Sequence, residues 1–353
     1  MNDLAEALQA QVREACAKGE PLALRGSGSK SFLGHRVQGR VLELGGHRGI
    51  VNYEPRELVL TARAGTPLAE IEQALEAQGQ MLPFEPPHFG PGATLGGTIA
   101  CALSGPRRPY AGAVRDVVLG CRIINGRGEI LRFGGEVMKN VAGYDVSRLM
   151  AGAFGTLGIL LEVSLKVLPK PETELTLVQE CDATEAIEKM NRLAGTPVPL
   201  SASSHDGIQL HLRLSGTNGA VEGARKRIGG EILADGASYW ERLREHRHAF
   251  FTGKRPLWRL SVPSTTPFQA DLPGKQLIEW GGAQRWLISE AAGETIQRAA
   301  AEAGGHATRF RGEAPEGEAF HPLPVPLMAL HRNLKRAFDP AGILNPGRLY
   351  GEF

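Results

Sequence analysis

Four glycine-rich stretches carry the residue types that could hold a phosphate-bearing ligand through main-chain groups. They are Arg25-Gly26-Ser27-Gly28-Ser29-Lys30, Gly92-Ala93-Thr94-Leu95-Gly96-Gly97-Thr98, Lys139-Asn140-Val141-Ala142-Gly143-Tyr144-Asp145 and Gly155-Thr156-Leu157-Gly158. Glycine lets backbone approach a ligand closely. In the first loop, successive N–H groups can form an anion-binding nest, with Ser27, Ser29 and Ser31 as extra donors and Arg25 and Lys30 as charge. Taken alone, the loop reads equally well as an ordinary strand-to-loop turn. The second stretch leads into an apolar helical run over 98–103, and helix N-termini attract anions; close helix packing would use the same glycines. Neither common nucleotide fingerprint is met. Ser31 stands where Gly-x-Gly-x-x-Gly needs its third glycine, and no Gly-Lys-Ser/Thr follows.

Side chains able to do acid–base or carboxylate chemistry lie close to these loops in sequence. Arg107, Arg108 and Lys139 are cations that could receive a carboxylate; His88 and Tyr144 could move a proton. Each has a plainer reading: a partner-facing basic pair for Arg107 and Arg108, loop support for His88, and organisation of their own loop for Lys139 and Tyr144. Metal chemistry finds no pattern. Cys16, Cys101, Cys121 and Cys181 are far apart, with no Cys-x-x-Cys pair for a cluster or structural zinc. The segment from His205 to His211 reads as a hairpin, and His246-Arg247-His248 as the exposed face of a helix with its imidazoles diverging. No metal is expected.

The elements that must position these groups are legible from periodicity. Leu4, Leu8, Val12 and Ala15 mark a helix that Gly19 stops. Strands are expected at 21–24, 41–44, 58–62, 117–124, 129–133 and 158–168. Thr66-Pro67 should open a helix, with Thr66 as its cap. Asn125-Gly126-Arg127-Gly128 makes a hairpin turn. Past Pro169-Lys170-Pro171 the order becomes strand, helix, strand, strand, helix, a ferredoxin-like α+β unit. Further strands are expected near 257–262, 277–280 and 285–288, then a helix over 294–303, a loop over 311–324 and a last helix from 327 to 338. No internal repeat is evident. Domains are expected at 1–171, 172–322 and 323–353. A net charge of +2 with scattered Lys and Arg predicts no nucleic-acid partner. With no disulfide framework, no signal peptide and no apolar run of about 20 residues, a soluble, cytoplasmic chain without direct membrane insertion is expected.

Taken together, the four stretches and Phe338-Asp339-Pro340-x-x-Ile343-x-Asn345-Pro346-Gly347 resemble the FAD-linked oxidases of the vanillyl-alcohol oxidase / p-cresol methylhydroxylase (PCMH) fold. Within that group, Phe84–Gly92, Ser104–Gly112, Val137–Leu149 and Leu212–Gly216 resemble the E-subunit family of bacterial glycolate oxidase (glycolate dehydrogenase). The resemblance covers essentially the whole chain and is weakest over 235–320. It implies an α+β fold: a two-subdomain PCMH-type FAD-binding domain, an α+β cap and a C-terminal segment returning to the flavin. It also implies FAD held by Arg25, Gly26, Ser27, Gly28, Ser29 and Lys30 in the first loop. Pro91, Gly92, Ala93, Thr94, Gly96, Gly97 and Thr98 follow in the second. Cys101, Ser104, Gly105, Gly155, Gly158, Ile159 and Asn345 complete the set. Ser29 stands where relatives with covalent flavin carry His, so non-covalent FAD is expected. The metal-holding segments of hydroxy-acid dehydrogenases of this fold are absent. The implied partners are a larger FAD-linked catalytic subunit and an iron–sulfur subunit passing electrons toward the membrane, with a small 2-hydroxy acid as substrate.

Overall fold

The helix Ala5–Lys18 buries Ala5, Leu8, Val12 and Ala15 as one stripe, and Gly19 ends it in the left-handed conformation at φ 63°. The computed structural model that contains it describes residues 2–135, 145–312, 319–351 and 353. Two compact units divide these residues. The first comprises 1–103, 113–169 and 322–353; the second comprises 104–112 and 170–321. The segment 104–112, expected in the N-terminal domain, is thus grouped with the second unit.

In the first unit, β1 (Leu22–Arg25) and β2 (Arg40–Glu43) form a parallel pair. β3 (Ile50–Glu54), β4 (Val59–Arg63), β6 (Val118–Ile124), β7 (Ile130–Gly134) and β8 (Ile159–Lys166) form an antiparallel sheet in the order β3-β4-β8-β6-β7. A short pair, β5 (Gln80–Met81) with β9 (Leu168–Pro169), completes its strands. β3 has no counterpart in the sequence reading, because its alternation is only half-buried. The helix Leu68–Glu76 begins after Pro67, but Thr66 does not cap it: the Thr66 hydroxyl accepts from Gly49 N–H at 2.9 Å. Leu68, Ile71 and Leu75 of this helix pack with Leu95, Ile99, Val163 and Leu165 in the main core.

The second unit is one eight-stranded sheet, ordered β13-β10-β12-β11-β15-β16-β14-β17. Its strands are β10 (Thr173–Glu180), β11 (Leu200–His205), β12 (Gln209–Gly216), β13 (Glu231–Ile232), β14 (Leu257–Ser261), β15 (Lys275–Glu279), β16 (Gln284–Ile288) and β17 (His306–Arg311). The first four have the 4-1-3-2 order of a ferredoxin-like unit, as expected. The last four repeat that order, and the halves meet where β11 pairs β15. The structure therefore contains a topological repeat that the sequence hides. The second half has a loop in place of its first crossover helix, and its fourth strand, β17, was not anticipated. Helices Ala183–Ala194 and Asn218–Ile228 cover the first half, packing Ile187, Met190 and Val221 onto Leu177, Leu210 and Leu212. Gly293–Glu302 covers the second through Ile296 and Ala300 on Trp258, Leu260 and Leu287. Side chains alternate across a strand, so His211, Arg213, Arg259 and Trp286 stand on the opposite face.

That face is polar and partly sealed. The buried His211 ring stacks on Tyr239 with centroids 4.0 Å apart. His246, expected on an exposed helical face, instead follows the helix end at φ 53° and stacks on Phe251 at 3.9 Å. Burial pushes the His211 pKa down to about 4 and takes His246 well below its usual value. Unfolded histidine titrates near 6.5, so between that pH and the folded values the unfolded chain binds more protons. Stability from these groups is complete above about pH 6.5 and falls as pH drops toward 4. The loss through His211 alone is on the order of 3 kcal/mol. Thermal melts between pH 7.5 and 4.5 should show this decline, and His211→Phe, which keeps the stack, should flatten it.

Candidate cofactor site

The first unit contains a cleft of about 420 Å³, within the usual range for cofactor sites. Its walls come from distant parts of the chain. Of the residues named from sequence, Arg25, Gly26, Ser27, Gly28, Ser29 and Lys30 line it along one side. Thr94, Gly96, Gly97 and Cys101 line it from the helix Leu95–Cys101 and its cap. Gly155, Gly158, Ile159 and Asn345 complete that set. Pro91, Gly92, Ala93 and Thr98 are not among the lining residues. Ala93 and Thr98 are buried in the fold, Ala93 O accepting from Leu68 N–H at 2.8 Å. Ser104 and Gly105 belong to the second unit. Lys139 and Tyr144 lie outside the described residues.

Local geometry explains why glycine recurs. A Cβ on Gly26 would fall 2.5 Å from Thr94 Oγ1, the hydroxyl that caps the helix by accepting from Gly97 N–H at 3.3 Å. Gly155, at φ 73°, leaves no room either: a Cβ there would sit 2.9 Å from Asn345 Nδ2 and from Leu24 Cδ1. Asn345 uses its amide as a cross-brace. Its Oδ1 accepts from Leu24 N–H at 2.8 Å and its Nδ2 donates to Phe154 O at 2.7 Å. Its backbone N–H donates to Leu22 O at 3.0 Å. This places β1 against the Gly155 loop and defines two walls of the cleft.

A buried ion pair holds Asn345 in turn. Lys335 Nζ donates to Asp339 Oδ2 at 2.7 Å, to Thr156 O at 2.9 Å and to Leu344 O at 2.7 Å. Asp339 accepts from Ile343 N–H at 3.1 Å and Leu344 N–H at 2.7 Å. Burial lowers the Lys335 pKa, while the Asp339 charge and hydrogen bond oppose the shift.

The cations of the cleft are in different states. Arg25 is paired with Glu43, its Nε 2.9 Å from Oε1. Lys30 donates to His88 O at 3.2 Å and Ser29 Oγ at 3.4 Å. Arg348 clamps the loop from the C-terminal side, donating to His35 O at 2.7 Å and Ser31 O at 3.3 Å. Arg36 also lines the cleft, is exposed, and makes no hydrogen bond or ion pair among the described residues. Arg348 follows three residues after Asn345 in the C-terminal motif and was within reach of the sequence reading; Arg36 carries no motif signal. Cys101 is held as a neutral thiol, its pKa pushed up to about 11 by burial against the opposing charges of Lys30 and Arg348.

The acid–base candidates are not gathered in the cleft. His88 Nε2 lies 3.0 Å from Glu72 Oε1, and neither lines it. Arg107, in the second unit, is buried and donates to Glu174 Oε2 at 2.6 Å, a carboxylate that also accepts from Ser215 Oγ at 2.7 Å. Arg108 lies over the Trp280 ring at 4.5 Å. Among the described residues no group of three or more His, Cys, Asp or Glu is placed to hold a metal ion, and no helix is long and apolar enough to cross a membrane.

Comparisons with known proteins agree with this geometry. An FAD binding domain model matches residues 4–134, and the C-terminal domain model of FAD linked oxidases matches 324–349. The second match falls on the braced C-terminal segment. The chain is 53% identical to glycolate oxidase subunit GlcE of Escherichia coli, over 99% of this chain and 98% of that one. It is 36% identical to glycolate oxidase subunit GlcD of Bacillus subtilis over 45% of this chain and 34% of that one. Among solved structures, 4-ethylphenol oxidase from Gulosibacter chungangensis has the same fold, with TM-score 0.70 and 15% identity over 98% of this chain and 87% of that one. An alkyldihydroxyacetonephosphate synthase aligns at TM-score 0.67 and 17% identity over 98% of this chain and 76% of that one. The fold is thus that of PCMH-type flavoproteins. The chain belongs to the family of FAD-linked oxidases that contains GlcE, and FAD is its cofactor. The cleft fits such a cofactor: glycine backbone where a Cβ would clash, serine hydroxyls and an available arginine.

Two variants test the fit. Gly26→Ala should displace the Thr94 hydroxyl and weaken FAD binding about tenfold, or about 1.4 kcal/mol, in a fluorescence titration of apo-protein. Lys335→Met leaves Asp339 buried without its counter-charge, and should destabilise the first unit by about 3–5 kcal/mol in urea melts.

Proposed function

We propose that this chain is the FAD-binding subunit of a complex that oxidises glycolate, or a small 2-hydroxy acid like it, to the corresponding 2-oxo acid. The observation that carries the reading is the 53% identity to GlcE over nearly the whole of both chains. FAD, when bound, supplies the acceptor for the hydride released from the substrate carbon. The chain's own residues do the holding. We assign Gly26, Ser27, Gly28 and Ser29 to the pyrophosphate, with Arg36 as the counter-charge, and Gly155, Gly158 and Ile159 to the far end of the cofactor. Asn345 and Arg348 position these walls. Ser29 offers no imidazole for covalent attachment, so the flavin is non-covalent. The domain limits 1–171, 172–322 and 323–353 correspond in this reading to FAD-binding, cap and returning segments. A larger FAD-linked subunit and an iron–sulfur subunit complete the complex and bring it to the inner face of a membrane.

One set of contacts favours a further point: the chain by itself turns over little substrate. His88 is taken up by Glu72 and Arg107 by Glu174, so two of the expected catalytic groups have structural work. The purified chain should show flavin absorbance bands, release its flavin to the supernatant on acid precipitation, and give weak glycolate-dependent dye reduction until its partners are added. Robust turnover by the chain alone would overturn the subunit reading, and flavin retained in the pellet would overturn non-covalent binding. Arg36→Ala should retain the fold and bind FAD about tenfold more weakly, with a shallower dependence on salt.

A further inference from the structure

The face of the second unit's sheet opposite its helices holds a cluster of arginines with aromatic neighbours. Arg259 stands in the middle of β14, opposite Trp286 on β16 and Thr308 on β17. Its guanidinium lies 6.0 Å from the Phe310 ring centroid, and that of Arg311 lies 5.8 Å from the same ring. Trp286 packs edge-on against Phe310 at 4.9 Å. Arg108, set over Trp280, belongs to the same unit and is close enough for its charge to act on Arg259.

Two acids of this unit's sheet are already engaged. Glu174 binds Arg107 and Ser215. Glu279 is buried and accepts from the Trp286 indole N–H at 2.5 Å and from Gln284 at 3.1 Å. Among the described residues the Arg259 side chain makes no hydrogen bond or ion pair; it lies against the Phe310 face. It is only partly exposed. Burial, with the like charge of Arg108 added, takes its pKa down to about 10, so it stays charged at neutral pH. A half-buried cation beside another cation, with no carboxylate paired to it among the described residues, is costly to hold unless an anion completes it. The planar fork of arginine matches a carboxylate in two-point geometry, and aromatic walls exclude water from that pair.

We infer that Arg259, with Arg108 and Arg311 around it, forms a receptor for a small carboxylate on the sheet of the second unit. The receptor replaces Arg107 as the carboxylate-binding group, since Arg107 is committed to Glu174. Its ligand, on the function proposed above, is the 2-hydroxy acid itself, and the inference rests on that reading for the ligand's identity.

All four tryptophans, Trp240, Trp258, Trp280 and Trp286, lie in the second unit, so their fluorescence reports on the site. The full chain is titrated with glycolate, with uncharged glycolamide and with inorganic sulfate, and FAD affinity is measured separately on the same preparations. Wild type should give a saturable change with glycolate and none with glycolamide. Arg259→Met should weaken glycolate at least tenfold and leave FAD affinity and the thermal melt unchanged, and Arg259→Lys should recover part of the binding. Glycolate binding unaltered in Arg259→Met, no saturable change in wild type, or sulfate binding as tightly as glycolate would overturn the inference. A chain that binds glycolate through Arg259 but takes up no FAD would sink the proposed function and leave this site standing.

Discussion

A lysine and a carboxylate taken out of water together hold the first unit's cleft in shape. Desolvating either ion alone would cost several kcal/mol. Here Lys335 has three acceptors and Asp339 accepts two backbone N–H groups as well as the ammonium. The pair therefore acts as a junction of five hydrogen bonds among the last helix, the Thr156 loop and residues 343–344. Asn345 follows immediately and carries the junction to β1 and Phe154. This bracing ties β1, which leads into the first glycine loop, to the Gly155 loop, although over 120 residues of chain separate the two loops. The C-terminal match to FAD linked oxidases spans this junction together with Asn345 and Arg348 of the cleft wall.

The distribution of charge around the cleft follows from that architecture. Loops poor in side chains need their few long side chains to hold them, and so Lys30 and Arg348 are spent on backbone carbonyls and Arg25 on Glu43. Among the described residues, backbone, serine hydroxyl and Arg36 remain for an anionic ligand. The same division recurs in the second unit, where Arg107 and Arg213 gather around Glu174, while Arg259 is left facing aromatic rings. In both units the arginine that a motif makes conspicuous is structural, and the arginine we assign to a ligand carries no motif.

The second unit shows how topology can repeat where residues do not. Two 4-1-3-2 halves join edge to edge at β11 and β15. Such a half requires only strands of adequate length, alternation with an apolar side toward its helices, and turns at the ends. Leu210, Leu212 and Leu214 meet that need in one half, and Trp258, Leu260 and Leu287 in the other. Different side chains satisfy the same pattern, so comparing the halves residue by residue reveals nothing.

Local features were readable from sequence because local physics sets them. The Gly19 helix stop, the Asn125–Gly128 turn, the β10–β12 order and the glycine loops at 25–30, 92–98 and 155–158 each depend on a few neighbouring residues and their allowed φ/ψ. The family and its cofactor were readable because those loops occur in a fixed order. Pairings between distant residues were beyond its reach. Thr66 looked like a cap, but Gly49 competes for its hydroxyl. His246 looked exposed, but the helix ends before it and an aromatic cage takes the ring. Arg107 looked ready for substrate until Glu174 came within 2.6 Å. Sequence by itself determined the family and its FAD cofactor. Only the tertiary structure decided which cations remain to meet a ligand, because a charge is available or spent according to the partner that folding brings to it.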